Sequence, residues 1–192
     1  MANVMLFYVG AVLFLNGLWL LGHIEDKEIK VIDTFVGGLG LVVVLLLLLE
    51  GSAGDYKLAA QLLLFAFTYL WVAWNRVNGA DGRGLGWFCL FVAVSAIPTG
   101  IIIHQGATTT FGIWLALDWY AWGILWFMFF LLLAMKKDIL RLTGWVTLLQ
   151  GIFTAWLPGF LLLEGFILSL IHISEPTRRT PISFAVFCLK KK

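Results

Sequence analysis

Six long apolar runs constrain the fold of this chain more than any other feature of its 192 residues. Each run can cross about 30 Å of hydrocarbon as a helix that rises about 1.5 Å per residue. Helices are the expected form, because lipid offers no hydrogen-bond partner to an open backbone. We therefore predict an all-α integral membrane protein. Its six transmembrane helices are predicted at about residues 3–22, 31–49, 57–75, 86–104, 112–134 and 144–166.

The composition argues against a soluble protein. Hydrophobic residues make up 61% of the chain and charged residues 12%, and the mean hydropathy is +0.97. A soluble domain of this size needs more polar surface. The two cysteines and three histidines are too scattered for a disulfide framework or a metal site, so we expect no metal and no other cofactor.

The sequence offers no recognisable catalytic or nucleic-acid-binding motif. The glycines of GADGRGLG are not followed by the Lys and Ser or Thr of a phosphate-binding loop. No nucleophile and base pair up within a predicted helix, and no basic face is available for nucleic acid. We predict that the chain is neither an enzyme nor a nucleic-acid-binding protein.

Positive charge in the connections predicts the orientation in the membrane. Lysine and arginine concentrate in the first, third and fifth loops, whereas the second and fourth loops hold only Lys57, at a helix edge. Because basic loops stay in the cytoplasm, both termini are expected outside. Helices one, three and five then run in the same direction. The basic residues of the odd loops are Lys27, Lys30, Arg76, Arg83, Lys136, Lys137 and Arg141.

A faint internal repeat predicts how the helices are arranged. FVAVSAIPTG in the fourth helix resembles GIFTAWLPG in the sixth, and FVGGLGL in the second is a candidate third copy. Each of these smaller-residue helices follows an aromatic or amphipathic one. We predict three helical hairpins in the same orientation around a pore in each protomer.

The odd-numbered helices each carry one dense stripe of side chains. In DWYAWGILW, three tryptophans fall within about 60° of one another on a helix that turns 100° per residue. If the stripes converge, they form a narrow aromatic slot. The alternative is that the aromatic side chains fill gaps between helices or face lipid. The stripes are Leu6, Val9, Leu13 and Asn16 in the first helix, Phe67, Trp71 and Trp74 in the third, and Trp119, Trp122 and Trp126 in the fifth.

Three polar side chains lie in or beside the predicted spans. Asp118 is either at a pore mouth or a solvated or paired group, because a carboxylate at the bilayer centre costs roughly 2.5–3.5 kcal/mol on insertion scales. Gln150 lies deeper, and its amide either bonds across helices or faces the pathway. Asp33 is interpreted as a residue at the end of a span.

Residues 167–192 do not fit the pattern of the rest of the chain. They contain a polar break, SEPTRRTP, and end in three lysines that would place positive charge outside. The run LSLIHISEPTR also resembles a read-through tail that recurs on unrelated translated sequences. We expect the native chain to diverge near Glu164–Ile167, and we assign the six-helix channel domain to residues 1–166.

Six stretches resemble, in order, the AmiS/UreI family of urea and short-chain amide channels: LFYVGAVLFLNG, FVGGL, LLFAFTYLWVAWN, WFCLFVAVSAIP, WYAWGILW and GIFTAWLPGF. The resemblance implies a six-helix protomer with its own pore. It also implies a homohexamer that encloses a plug of membrane lipid, in a bacterial inner membrane. The pore positions that it implies are Leu6, Val9, Leu13, Asn16, Phe67, Thr68, Trp71, Trp119, Trp122, Leu125 and Trp126.

The chain departs from the acid-gated members of that family. Those members carry a long histidine-rich loop after the second helix, where this chain has EGSAGD. Histidine is the natural switch between about pH 5 and pH 8, so we expect weak or absent acid gating. The same members have a glutamate at Gln150, a tyrosine at Trp71 and an apolar residue at Asp118.

The function predicted from these features is passive passage of urea, and of short-chain amides, across a membrane. A bare ion would lose its hydration in an apolar slot, whereas a flat neutral solute loses much less. One alternative is a proton-coupled amide transporter with Asp118 as the proton site. Another is a membrane scaffold that recruits a cytoplasmic urease or amidase through Lys136–Arg141.

Overall fold

The structure is a computed structural model that describes residues 2–166, and these residues form helices and short connections without a strand. The prediction for residues 167–192 lies outside the described residues. Six helices are long and apolar enough to cross a membrane. They are α1 (Ala2–Leu20), α2 (Asp26–Glu50), α3 (Ala53–Asn78), α4 (Arg83–Gly106), α5 (Thr110–Leu133) and α6 (Leu140–Leu163).

Local signals in the sequence separate α2 from α3 within two residues. Gly51 ends α2 in the left-handed conformation at φ 78°, which glycine adopts without a steric cost. Ser52 then caps α3, because its hydroxyl accepts a hydrogen bond from the backbone N–H of Asp55, and the Asp55 carboxylate accepts one from the backbone N–H of Ser52. The two apolar helices therefore form a tight hairpin.

The six helices form a closed ring in which each packs against the next and α6 returns to α1. The most extensive contacts join α2 with α3, α4 with α5, and α6 with α1. Small residues allow these close approaches. A Cβ atom on Gly10 would lie 2.3 Å from the backbone nitrogen of Trp156, and one on Gly151 would lie 2.7 Å from that of Phe14. The predicted fold of six helices around a central pathway is confirmed.

The interior of the ring is filled by the inward faces of the helices. Its core is mainly apolar and includes three of the ten tryptophans of the chain. Large apolar side chains also cover the outside of the protomer, where they can contact lipid or another subunit. The buried aromatic side chains of the core are Phe65, Tyr69, Trp119, Trp122, Trp126 and Phe130.

Helix α2 begins at Asp26, before the residue 31 predicted for it, and this changes the position of Asp33. Asp33, interpreted from the sequence as a residue at the end of a span, lies about two turns into α2, and its side chain is 0% exposed, so it is an interior residue of the bundle. Charged residues at 25–30 lowered the hydropathy of the first turn of α2, so the predicted span began only at residue 31.

Helix α6 contains a π-helical segment, Gly151–Trp156. Such segments hold one extra residue in a turn and are frequent at functional sites. Here the segment packs against α1, and Thr154 within it points to α5.

Candidate functional site

A cavity of about 60 Å³ lies inside the ring, where a single water needs about 10–15 Å³. It has room for a molecule of several heavy atoms. The cavity extends from the middle of the bundle to the end where the first, third and fifth loops lie. Helices α1, α3 and α5 provide most of its wall: Leu13, Asn16, Trp19, Leu20, Phe65, Thr68, Tyr69, Val72, Asn75, Arg76, Trp122, Leu125, Trp126, Phe129 and Leu133. The other lining residues are Gly82, Leu85, Cys89 and Thr147.

The phenyl ring of Phe65 lines the cavity and lies at the centre of a cluster of indoles. Its centroid lies 6.0 Å from that of Trp119, 5.1 Å from that of Trp122 and 4.7 Å from that of Trp126. The pairs are edge-to-face, with interplanar angles of 66–88°. Such contacts favour one arrangement of the rings beyond the burial of area alone. The aromatic wall is therefore held by its own packing.

Threonine hydroxyls fix two of the three indoles that line the cavity, those of Trp122 and Trp126. The indole N–H of Trp126 donates to Oγ1 of Thr68 at 3.3 Å, and the hydroxyl of Thr68 donates to the carbonyl of Leu64 at 2.7 Å. The indole N–H of Trp122 donates to Oγ1 of Thr154 at 2.9 Å. Because these donors are satisfied within the protein, the rings present mainly carbon to the cavity.

Asn16 is a buried polar residue in the cavity wall. Its amide nitrogen donates to Oδ1 of Asp33 at 3.0 Å, and both side chains are buried. The Asn16 carbonyl oxygen and Oδ2 of Asp33 have no hydrogen-bond partner among the described residues. The pair adds polar groups to a mainly apolar wall, and no cationic side chain of residues 2–166 pairs with the Asp33 carboxyl.

Charged and aromatic groups meet where the cavity reaches the odd-loop end. The guanidinium of Arg76 pairs with Oδ2 of Asp26 at 3.1 Å and lies 5.3 Å from the centroid of the Trp19 ring. The indole N–H of Trp19 donates to Oδ1 of Asp26 at 2.6 Å. The three side chains tie the end of α1 to α2 and α3.

The first and fifth helices bring most of their predicted residues to the centre. Leu13 and Asn16, and Trp122, Leu125 and Trp126, all line the cavity. Val9 and Trp119 are buried in the core, and Leu6 packs against the core. The predicted pore residues Leu6, Val9 and Trp119 thus lie inside the bundle but are not among the lining residues of this cavity.

The third helix is rotated relative to its prediction. The expectation that Phe67, Trp71 and Trp74 face the centre is wrong, because these side chains are 45%, 38% and 67% exposed on the outside of the protomer. Of the predicted residues on α3, Thr68 does line the cavity. The residues that face inward instead are Phe65, Thr68, Tyr69 and Val72, at the helical spacing of three, one and three.

The two polar residues of the later helices do not line the cavity. Gln150 bonds across helices, as one of its two predicted alternatives proposed: its amide nitrogen donates to the Ala121 carbonyl at 2.9 Å. Asp118 is 3% exposed, and its Oδ2 has no hydrogen-bond partner among the described residues. On α3, Tyr69 is a buried tyrosine of the inner face and lines the cavity.

Sequence reasoning missed Phe65, Tyr69 and Asp33. A signal for the first two exists in α3, where Ala59, Ala66 and Ala73 recur every seven residues and are buried. This row of small side chains packs on α2: a Cβ atom on Gly40 would lie 2.8 Å from that of Ala66. The row fixes the rotation of α3 and turns Phe65 and Tyr69 inward.

Outside the membrane-spanning segments, the connection between α3 and α4 holds a second ionic cluster. The carboxylate of Asp81 accepts hydrogen bonds from the backbone N–H of Arg83 at 3.1 Å and from its guanidinium at 2.5 Å. These bonds lower the pKa of Asp81. The ammonium of Lys136 donates to the Asp81 carbonyl at 2.8 Å and joins this connection to the end of α5.

Comparisons with known proteins agree with this architecture. The sequence model of the AmiS/UreI family of transporters matches residues 1–166. A candidate transporter of amidate substrates from Mycolicibacterium smegmatis is 45% identical over 171 residues, which cover 86% of this chain and 78% of that protein. The acid-activated urea channel of Helicobacter pylori is 33% identical over 189 residues, which cover 84% of this chain and 97% of that protein.

A solved structure has the same fold. The crystal structure of the urea channel of Helicobacter pylori matches with a TM-score of 0.77 at 36% identity, over 85% of this chain and 97% of that one. The relatives are channels or transporters, in agreement with the prediction that the chain is not an enzyme. The chain is therefore a multi-pass membrane transport protein and belongs to the AmiS/UreI family.

Proposed function

We propose that this chain is a passive channel for urea, and for short-chain amides, without strong acid gating. The cavity enclosed by α1, α3 and α5 carries this proposal. Its lining residues are aromatic, aliphatic or neutral polar, apart from Arg76 at the odd-loop end. An ion entering such a slot would lose hydration that the wall does not replace. Urea and short amides are flat and uncharged, so they lose much less.

The names of the relatives support this class of solute. The Helicobacter pylori relatives are named urea channels and the Mycolicibacterium smegmatis relative is named for amidate substrates. Urea and amides both carry a planar carbonyl group bonded to nitrogen. A slot between aromatic faces fits planar groups, and an edge-to-face cluster keeps its shape because the rings are packed and bonded to threonines.

The short connection between α2 and α3 supports the absence of strong acid gating. It consists of Gly51 and Ser52, and its flanking sequence EGSAGD has no histidine. A switch near pH 6 commonly needs a histidine, or a carboxylate with a shifted pKa, at the moving element. His104 lies at the end of α4, where its ring is 6.2 Å from that of Tyr120, and so it is not part of this connection.

The proposed setting is a bacterial inner membrane with the odd loops in the cytoplasm and both termini outside. Residues 1–166 would carry transport, and a homohexamer with a central lipid plug would be the assembly. Exposed apolar side chains around the protomer, such as Phe35 and Phe91, suit contact with lipid or with neighbouring subunits. The exposed basic segment at Lys136 and Lys137 is the proposed contact for a cytoplasmic urease or amidase.

A second candidate function is proton-coupled amide transport through Asp118. The observation that favours it is a nearly buried carboxyl group with an unpartnered oxygen inside α5. Ionisable groups inside membrane helices often belong to proton relays.

Stopped-flow measurements on proteoliposomes test the first proposal. Urea, formamide and acetamide should enter faster than into protein-free liposomes, at similar rates at about pH 5 and about pH 7.5, on either side of the histidine range. Entry no faster than into protein-free liposomes would overturn the channel. Accumulation of solute against its gradient, lost in Asp118→Asn, would favour the coupled transporter instead.

A further inference from the structure

The polar groups of the cavity wall differ in whether their hydrogen bonds are already made. Thr68 accepts from Trp126 and donates to Leu64, and the hydroxyl of Thr147 donates to the Thr143 carbonyl at 2.7 Å. The Thr68 hydroxyl is thus bonded both as donor and as acceptor, and the Thr147 hydroxyl has used its single donor. The carbonyl oxygen of Asn16, in contrast, is a buried acceptor without a partner among the described residues.

An unpartnered buried acceptor is costly unless a ligand or water satisfies it. Asn16 is 5% exposed and its side chain forms part of the cavity wall. The carbonyl oxygen itself is closed to solvent in this structure, so a molecule in the cavity bonds to it only as the surrounding wall yields during passage. The chemistry of the acceptor selects a donor. Urea and primary amides carry N–H groups, which a carbonyl oxygen accepts.

Asp33 determines which end of the Asn16 amide is occupied by the protein. The amide nitrogen donates to Oδ1 of Asp33, so the amide oxygen is the end that is left over. This holds whether Asp33 is ionised or carries a proton on Oδ2, because the carbonyl oxygen of a carboxylic acid also accepts. Asp33 is 0% exposed and is not among the lining residues, so it acts through Asn16.

We propose that Asp33 is a positioning residue for selectivity: it holds the Asn16 amide by its nitrogen, so that the Asn16 carbonyl oxygen is the acceptor for the N–H groups of a permeating urea or amide. The inference rests on the proposed channel function. It adds a polar recognition point to a mainly apolar wall.

The test compares nearly isosteric variants by their urea-to-water permeability ratio in proteoliposomes. Water reports whether the slot is still open. Asn16→Leu removes the acceptor, and Asp33→Leu removes its orientation. Both should lower the ratio about threefold to tenfold, as expected for the loss of one hydrogen bond between neutral groups. Asp33→Asn keeps a carbonyl acceptor and should restore most of the ratio relative to Asp33→Leu.

Two controls separate positioning from a general structural role. Thr143→Val removes a fully buried hydroxyl that bonds to the Ile139 carbonyl and does not line the cavity, and it should leave the ratio unchanged. The double variant Asn16→Leu/Asp33→Leu should be no worse than Asn16→Leu alone, because both changes act on one acceptor.

The outcomes distinguish the inference from the function on which it rests. A wild-type protein that passes no urea overturns the channel proposal itself. If the wild-type protein passes urea and Asp33→Leu keeps the wild-type ratio, the channel stands and the positioning role is overturned. Equal losses of urea and water flux in Asp33→Leu and in Asp33→Asn would also overturn it, because they indicate a purely structural role.

Discussion

The aromatic stripes of α5 and α3 are similar in sequence and opposite in orientation. Trp122 and Trp126 on α5 face the cavity and are 4% and 6% exposed, whereas Trp71 and Trp74 on α3 are 38% and 67% exposed on the outside. Aromatic density alone does not distinguish these positions, because the pore and the lipid are both apolar surroundings. The difference shows that small residues, rather than large ones, set the rotation of α3.

The row of alanines explains the orientation of α3. Ala66 faces α2, and at 100° per residue Phe65 and Phe67 lie on opposite sides of it. One side is the cavity and the other is the outer surface. Two phenylalanines separated by one residue therefore have different roles, and they form a matched pair for experiments.

Replacing each of these phenylalanines should give the largest contrast. Phe65→Ala opens a void among three indoles and should both destabilise the protein and reduce the urea-to-water permeability ratio. The loss of stability should be smaller than the about 3–5 kcal/mol that Phe→Ala costs in the core of a soluble protein. The reason is that apolar side chains outside the bundle meet lipid rather than water, so burying them contributes less. Phe67→Ala should change neither quantity much. Equal effects of the two variants in proteoliposome flux and thermal unfolding would contradict the orientation.

The contact between α2 and α3 should give the next largest effect. Gly40→Val adds atoms where a Cβ would already lie 2.8 Å from that of Ala66, and overpacking of this kind costs about 1–3 kcal/mol. A Cβ on Gly38 has no heavy atom within 4 Å, so Gly38→Ala is the control. Thermal unfolding in detergent, followed by tryptophan fluorescence, measures both. A larger loss in the Gly38 variant would show that α2 does not pack as described.

The hydrogen bond between Trp126 and Thr68 should contribute less. Trp126→Phe leaves an aromatic ring but removes the indole N–H, which should cost about 0.5–1.5 kcal/mol and loosen the wall. Trp71→Phe on the outer face is the matched change and should be close to neutral. Urea-to-water ratios of the two variants would sharpen the comparison, and a selective defect in Trp71→Phe would reverse it.

The smallest expected effect concerns pH and the connection after α3. Arg83 holds the pKa of Asp81 below its ordinary value, so the ionised form contributes stability above the pKa that Asp81 has in the unfolded chain. That contribution disappears as the pH falls through the lower, folded pKa. Asp81→Asn should slightly reduce the loss of stability in strong acid and leave urea flux near neutral pH unchanged. Thermal unfolding across an acid series, with wild-type protein as the reference, tests the sign.

Much of the architecture could be predicted from the sequence, because lipid imposes simple rules. Six apolar runs required six helices, and the stripes of α1 and α5 brought Leu13, Asn16, Trp122 and Trp126 to the centre. The rotation of α3 could not be obtained from its large residues. It depends on alanines that meet glycines of another helix, and that pairing is a property of the assembled bundle.

The buried polar groups were also beyond the sequence pattern. Hydropathy excluded residues 26–30 of α2, so Asp33 was placed at the end of the predicted span and was not recognised as an interior residue. Thr154 is an unremarkable hydroxyl in sequence, and its bond to Trp122 depends on how α6 passes α5. A pattern along one helix carries no information on such distances between helices.

The π-helical segment Gly151–Trp156 gives α6 a tolerance to changes in chain length. A wide turn holds one residue more than an ordinary turn between the same flanking positions. Deleting one residue there could therefore close the turn to a regular helix while Gly159 still faces α1. The same deletion in the middle of α5 would rotate every later side chain by about 100° and carry the tryptophans away from the cavity. Relatives whose last helix is one residue shorter would then conserve the same inward face.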